Sequence, residues 1–227
     1  MNLLKELRKK YKLLQQKKKS QKKIKKFSFN NDISVFNDDL SRISISIQGC
    51  GNVIKIGKLA PGNGKLIIKV AGNNNVIEIK NGCKINNTLR IIVGQIHFNF
   101  GPIQNVKCCI GELCGFESCD VITFNSNAII NVGDKCMVSY NVNIYHTDAH
   151  PILDVKTNKI INKVKSLTIG NHVWIGANST ILKNTSIAND CIVGWGSIVS
   201  GNFSEPYCAI AGNPACVVKK GITWDSN

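Results

Sequence analysis

Residues 169–200 read IGNHVWIGANSTILKNTSIANDCIVGWGSIVS, and their spacing decides the fold. Ile169, Ile175, Ile181, Ile187, Val193 and Val199 recur every six residues, and Gly170, Gly176 and Gly194 directly follow three of them. Four residues after each aliphatic stands a small or β-branched residue: Val173, Ser179, Thr185, Cys191 and Ser197. A helix has no such period, and a half-buried strand alternates every two residues without marking every third pair. A six-residue unit of short strand plus tight turn fits. Three units close one triangular coil with a large aliphatic at each inner corner. Coils then stack at about the 4.8 Å inter-strand spacing, each satisfying its neighbour's backbone.

The same phase runs upstream through Val132, Val138 and Ile144, and through Ile110, Phe116 and Ile122. Cys114, Cys136 and Cys191 then fall in the small inward slot, which accounts for them without disulfides or metal. Cys108, Cys109, Cys114 and Cys119 lack the paired spacing of a zinc knuckle, so no metal is expected there. Farther back the repeat loosens. GNVIKIG at 51–57 is echoed 23 residues later by NNVIEIK, which carries imperfect coils back to about residue 40. The many Asn and Gly suit turn positions with φ > 0.

Composition narrows the remaining choices. The chain has 227 residues, 43% hydrophobic and 19% charged, and a net charge of +15, a folded rather than disordered balance. No apolar run approaches the roughly 18 residues needed to cross a bilayer. The N-terminus lacks the apolar block of a secretory signal, so a cytoplasmic protein with reduced thiols is expected. Residues 1–26 carry twelve Lys or Arg against one acid, Glu6, while the rest is almost balanced. Leu3, Leu4, Leu7, Tyr11 and Leu14 fall at helical spacing, so this head reads as a basic amphipathic helix. It is either a solvated arm or a peripheral contact with an anionic membrane, on the inner face if so. No aromatic interleaving or recognition motif accompanies the lysines, so nucleic acid is not the expected partner. The organisation is then a head at 1–26, a β-helix at 27–205 and a C-terminal segment at 206–227.

Residues 132–220 resemble the hexapeptide-repeat acyltransferases, in YHTDAHPI, TIGNHVWIGANSTIL, GWGSIVSGN and AIAGNPACVV in order. Among them the chain looks most like the bacterial polysaccharide O-acetyltransferases of the polysialic acid type. The resemblance implies an all-β fold, the left-handed parallel β-helix, whose hand is an exception to the usual crossover rule. It also implies acetyl-CoA as donor, a sugar hydroxyl of a bacterial surface polysaccharide as acceptor, and a homotrimer with sites between neighbouring coils.

The six-residue register breaks at an excursion loop, 145–168, and loops on rigid scaffolds are where chemistry gathers. It opens with His146, Asp148, His150 and Asp154. Acyl transfer to a hydroxyl needs a general base and donors for the tetrahedral oxyanion. Both histidines are candidates by chemistry. The family's Asp-x-His and His-Pro patterns match Asp148-Ala149-His150-Pro151 and not His146, so the resemblance makes His150 the base. Asp148 would orient the ring or contact the sugar, and Asp154 reads as a turn residue. Trp174 should point outward as a ligand wall or a subunit contact. The resemblance assigns the oxyanion donor to the backbone around Gly176 and Ala177, and the pantetheine contacts to Trp195 and Ser200. The family places a small residue more often than Trp at position 195. Where relatives place Arg, this chain has Cys216, so Lys219 or Lys220 would carry the charge facing the donor's phosphates. Transfer would be direct, since no Cys or Ser sits in an activated nucleophile motif. N-acetylation of an amino or nucleotide sugar is the nearest alternative. A γ-carbonic-anhydrase-like zinc site of His146, His150 and His172 would leave the acyltransferase signatures unexplained, and a non-catalytic scaffold would have no use for the loop histidine.

Overall fold

The computed structural model describes residues 30–94 and 102–225, and within them every regular element is a β-strand. The helix expected at 1–26 lies outside the described residues. Strands stack in parallel into three faces of a prism. The first face contains Ile129–Val132, Ser166–Ile169, Ser186–Ile187 and Asn202–Phe203. The second contains Met137–Val138, Trp174–Ile175, Ile192–Val193 and Cys208–Gly212, and the third Val142–Tyr145, Thr180–Leu182 and Ile198–Val199. This is the left-handed parallel β-helix.

The six-residue period is visible as burial. The six aliphatics from Ile169 to Val199 are each at most 1% exposed, and the small-slot residues Val173, Ser179, Thr185, Cys191 and Ser197 are fully buried. Three units make one turn of the prism, so Trp174 pairs with Ile192, Thr180 with Ile198 and Thr168 with Ser186. Inward hydroxyls and thiols are satisfied by main-chain carbonyls. Ser179 Oγ donates to Gly194 O (2.9 Å) and Thr185 Oγ1 to Val199 O (3.2 Å). Cys114 Sγ donates to Gly133 O and Cys136 Sγ to Gly170 O, both at 3.1 Å. Cysteine thus substitutes for Ser or Thr at no cost in unpaired polar groups. Deep among the strands, burial pushes the Cys108 thiol up to about 12, so it stays protonated and inert near neutrality.

The coil begins upstream of residue 40, to which the sequence repeat reaches, inside the expected 27–205, and runs past residue 205. Asp32–Val35 already stacks on Val53–Ile56, and Cys208–Gly212 still stacks on Ile192–Val193 before the chain reverses into Ala215–Lys220. The echo between residues 51–57 and 74–80 is a true stacked pair, with Val53 opposite Val76 and Ile54 opposite Ile77. These wider coils hold a buried amide ladder. Asn52 Nδ2 donates to Asn31 Oδ1 and Asn75 Nδ2 to Asn52 Oδ1, both at 2.9 Å. Asn30, Asn74, Asn105, Asn127, Asn141, Asn178 and Asn184 all adopt positive φ, the turn role that their abundance predicts.

Gly133 shows how closely the coils approach. A Cβ there would stand 2.6 Å from the Gly170 carbonyl and 2.5 Å from Asn171 Oδ1. Gly115 faces nothing within 4 Å. Gly133→Ala is therefore expected to cost about 1–3 kcal/mol by overpacking, and Gly115→Ala much less. Equal denaturant midpoints for the two variants would contradict this stacking.

Candidate active site

The excursion leaves the prism after Tyr145 and returns at Ser166, at the corner between the third and first faces. Its neck is closed by His146. The imidazole is fully buried, and its Nε2 lies 3.1 Å from Lys165 O on the returning leg. A carbonyl only accepts, so Nε2 carries the proton, and Nδ1 is left buried with no partner. Burial holds the His146 pKa below the usual histidine range. His146 is therefore a clasp, consistent with its failure to match the family's catalytic pattern.

Beyond the neck a tight turn presents His150. Ala149 has φ +61°, and the His150 N–H donates to Asp148 O at 2.6 Å. Two residues from outside this turn hold it. Asn162, on the returning leg, donates through Nδ2 to Asp148 Oδ2 (2.7 Å) and to His150 O (2.9 Å). Lys183, from the next coil, places Nζ 2.8 Å from Asp148 Oδ2 and 3.3 Å from Asn162 O. Partial burial raises the Asp148 pKa, but the hydrogen bonds from Lys183 and Asn162 and the lysine's charge outweigh it, and the net shift is downward. At least one Asp148 oxygen is thus spent on fixing the turn. Asn162 and Lys183 were not legible as site residues, because each lies far in sequence from the histidine it steadies. Asp154 caps its own turn, accepting from Thr157 N (2.7 Å) and Lys156 N (3.1 Å), as expected of a loop-turn residue.

His150 and Asp148 line a cavity of about 460 Å³ with Phe124, Asn125, Asn127, Asn162 and Lys163. Amide groups with one apolar wall and one lysine suit a hydroxyl-rich ligand. Asn125 Oδ1 is buried in that wall without a partner, so it is an acceptor awaiting a donor.

The other predicted residues, Ser200 excepted, lie elsewhere on the prism. Gly176, Ala177 and Trp195 share the corner between the second and third faces, where the Gly196 N–H donates to Ala177 O (2.9 Å). Trp195 is 74% exposed. The Gly176 N–H is already committed to Val193 O at 2.8 Å. Ser200 is exposed at the same corner as the excursion. Lys219 and Lys220 sit on the reversing strand opposite Ala209 and Cys208, and Lys220 pairs with Glu205 at 2.6 Å. Trp174 projects from the second face, its Nε1 donating to Ser139 Oγ at 3.1 Å. Face three separates Ala177 from the excursion corner by one six-residue unit, roughly 20 Å of extended chain. The excursion that carries His150 and the turn that carries Ala177 therefore spring from different corners of the prism.

The excursion thus holds a histidine at the corner of a parallel β-helix, beside a polar cavity. The family described as Bacterial transferase hexapeptide (six repeats) matches residues 166–201. The "Polysialic acid O-acetyltransferase" of Neisseria meningitidis is 34% identical over 194 residues, covering 79% of this chain and 88% of that protein. Its namesake in Escherichia coli O1:K1 / APEC is 34% identical over 110 residues, 48% of this chain and 34% of that one. The crystal structure of the polySia specific acetyltransferase NeuO superposes with a TM-score of 0.64 at 27% identity, covering 82% of this chain and 90% of its own. The chain thus belongs to the hexapeptide-repeat acyltransferases, in the family of the polysialic acid O-acetyltransferases, and is an acetyltransferase enzyme.

The clasp has a pH signature. Because the folded His146 pKa is lowered, the unfolded chain binds more protons as pH falls below the unfolded value of about 6.5. Stability is fully present above that pH and is lost below it, down to the folded pKa. Melting temperatures should fall between pH 7.5 and 5.5, and His146→Gln should shrink that fall. An unchanged pH slope in the variant would show that the neck does not titrate.

Proposed function

We propose that the protein transfers the acetyl group of acetyl-CoA to a sugar hydroxyl of a bacterial surface polysaccharide. The observation that carries this reading is the His150 turn, fixed by Asn162 and Lys183 over a cavity lined by amides. His150 takes the proton from the acceptor hydroxyl as its oxygen attacks the thioester carbonyl. The Ala177 N–H, with Gly176 shaping the corner, faces the oxyanion. The C–S bond then breaks, and the CoA sulfur leaves with the proton that His150 accepted. Asp148 holds the turn, and Trp174 walls the site. Trp195 and Ser200 flank the pantetheine, and Lys219 or Lys220 meets the phosphates. The reaction so written calls for no metal. Lys163 at the cavity rim favours an acidic sugar, in keeping with the acceptor named for the relatives.

A homotrimer completes the site. The separation of His150 from Ala177 across face three supports a site shared between neighbouring chains, as the family's assembly implies. Among the described residues no helix is long and apolar enough to cross a membrane. The basic head at 1–26 supports a peripheral contact with anionic lipid on the cytoplasmic side.

With polysialic acid and acetyl-CoA, His150→Ala should lower kcat by about 10²–10⁴-fold, the scale of lost general base catalysis, with the acetyl-CoA KM little changed. Mass spectrometry of the glycan reads the product directly. A fully active His150→Ala protein would defeat the mechanism. Removing residues 1–26 should abolish co-sedimentation with phosphatidylserine vesicles at low salt, at about 1 kcal/mol per basic residue near the surface. Equal sedimentation of the shortened protein would remove the membrane contact.

A further inference from the structure

The C-terminal segment brings a third tryptophan to the face that carries Trp174. After the strand Ala215–Lys220 the chain turns along the corner between the first and second faces, where the Ile222 N–H donates to Tyr207 O at 3.0 Å. Trp224 then stacks on the His172 imidazole, with ring centroids 4.3 Å apart and planes at 13°. Its Nε1 donates to His172 O at 2.8 Å, so both the ring face and the ring edge are fixed by one residue. His172 is itself anchored: Nδ1 lies 2.9 Å from Asp190 Oδ1, one coil away. Trp224 also meets Trp174, at 6.2 Å between centroids and a tilt of 48°.

Trp174 is 36% exposed, and its indole is tethered at the edge by the Ser139 hydroxyl. One edge hydrogen bond does not by itself fix the tilt of a partly exposed ring. A tilted aromatic neighbour removes this freedom, since such pairs have a preferred geometry. We propose that Trp224 is a positioning residue for Trp174, so that the C-terminal segment builds part of the acetyl-transfer site and sets how its wall meets the acceptor sugar. The order of support runs from Asp190 through His172 and Trp224 to Trp174. This rests on the reading of Trp174 as a wall of the site. Trp224 acts through Trp174 rather than on the reacting atoms, so its effect belongs in acceptor binding more than in the chemical step.

The test uses the full-length protein with acetyl-CoA and polysialic acid, and compares Trp174→Ala, Trp224→Ala, Trp224→Phe and the double alanine variant. Trp224→Ala should raise the acceptor KM about 2- to 10-fold, the value of one aromatic pair, with the acetyl-CoA KM unchanged. Trp224→Phe, which keeps a ring on His172 but loses the Nε1 bond, should recover part of that loss. The double variant should be no worse than Trp174→Ala alone, because Trp224 has nothing left to position. The paired-indole band in the circular dichroism spectrum should vanish in either single alanine variant, which reports the contact itself without an acceptor. Multiplicative losses in the double variant, or a wild-type acceptor KM for Trp224→Ala, would overturn the proposal. If Trp174→Ala transfers normally, the wall reading fails and this inference falls with it. If Trp174→Ala is impaired while Trp224→Ala is not, the positioning role alone falls.

Discussion

Everything in this structure depends on one constraint: each coil must lie within hydrogen-bond reach of the next along its whole perimeter. In a β-helix the backbone groups of one coil have no partner except those of the coils above and below. That requirement leaves no room for a Cβ at Gly133, and it aims inward hydroxyls and thiols at main-chain carbonyls. The aliphatic column then closes the interior at crystal-like density. A residue too large at a corner, or an inward polar group without a carbonyl, would force neighbouring coils apart rather than disturb one side chain.

The same rigidity explains where variation is allowed. A coil tolerates extra residues at its corners, because a corner faces solvent and breaks no ladder. The excursion uses this freedom, and the cost of an open neck is met by the buried imidazole of His146 spanning the two legs. Once the neck is closed, the turn holding His150 needs few restraints of its own. Asn162 supplies one from the returning leg and Lys183 another from the coil beneath. The loop is therefore indexed to the solenoid at two heights, and the turn carrying the imidazole inherits the precision of the prism.

The fold was legible because it is periodic. Each inward position from Ile169 to Val199 repeats the same choice, so the pattern averages over local exceptions such as Cys191. The upstream coils were less legible because their perimeters vary and their interior includes an asparagine ladder, which looks like loop composition in a linear reading. The excursion loop and its two histidines were also legible, since a break in a regular register marks itself. Their division of labour came from a motif rather than from physics: only the structure shows that His146 is enclosed while His150 faces the cavity. Lys183 sits within the repeat, where it passes for a solvated surface lysine. Trp224 had one signal, an aromatic in a short polar tail, but its partner lies 52 residues upstream and no spacing rule connects them.

The positions of the remaining site residues follow from the prism's geometry. Three flat faces offer ladders and shallow surfaces; only corners project side chains at divergent angles. His172 and Asp190 occupy equivalent left-handed corner positions on successive coils, which is why they meet side by side. Ala177 and Trp195 hold equivalent places on successive coils at the next corner, each followed by a left-handed residue, Asn178 and Gly196, and the excursion fills the third. The chemistry proposed for this site draws on two corners, the excursion with His150 and the turn with Ala177, and on the second face with Trp174. A convex prism cannot fold its own corners together. Adjacent prisms can, because two corners from different chains approach across the groove between them. The distribution of the proposed site residues over one chain is thus what ties the proposed function to the proposed homotrimer.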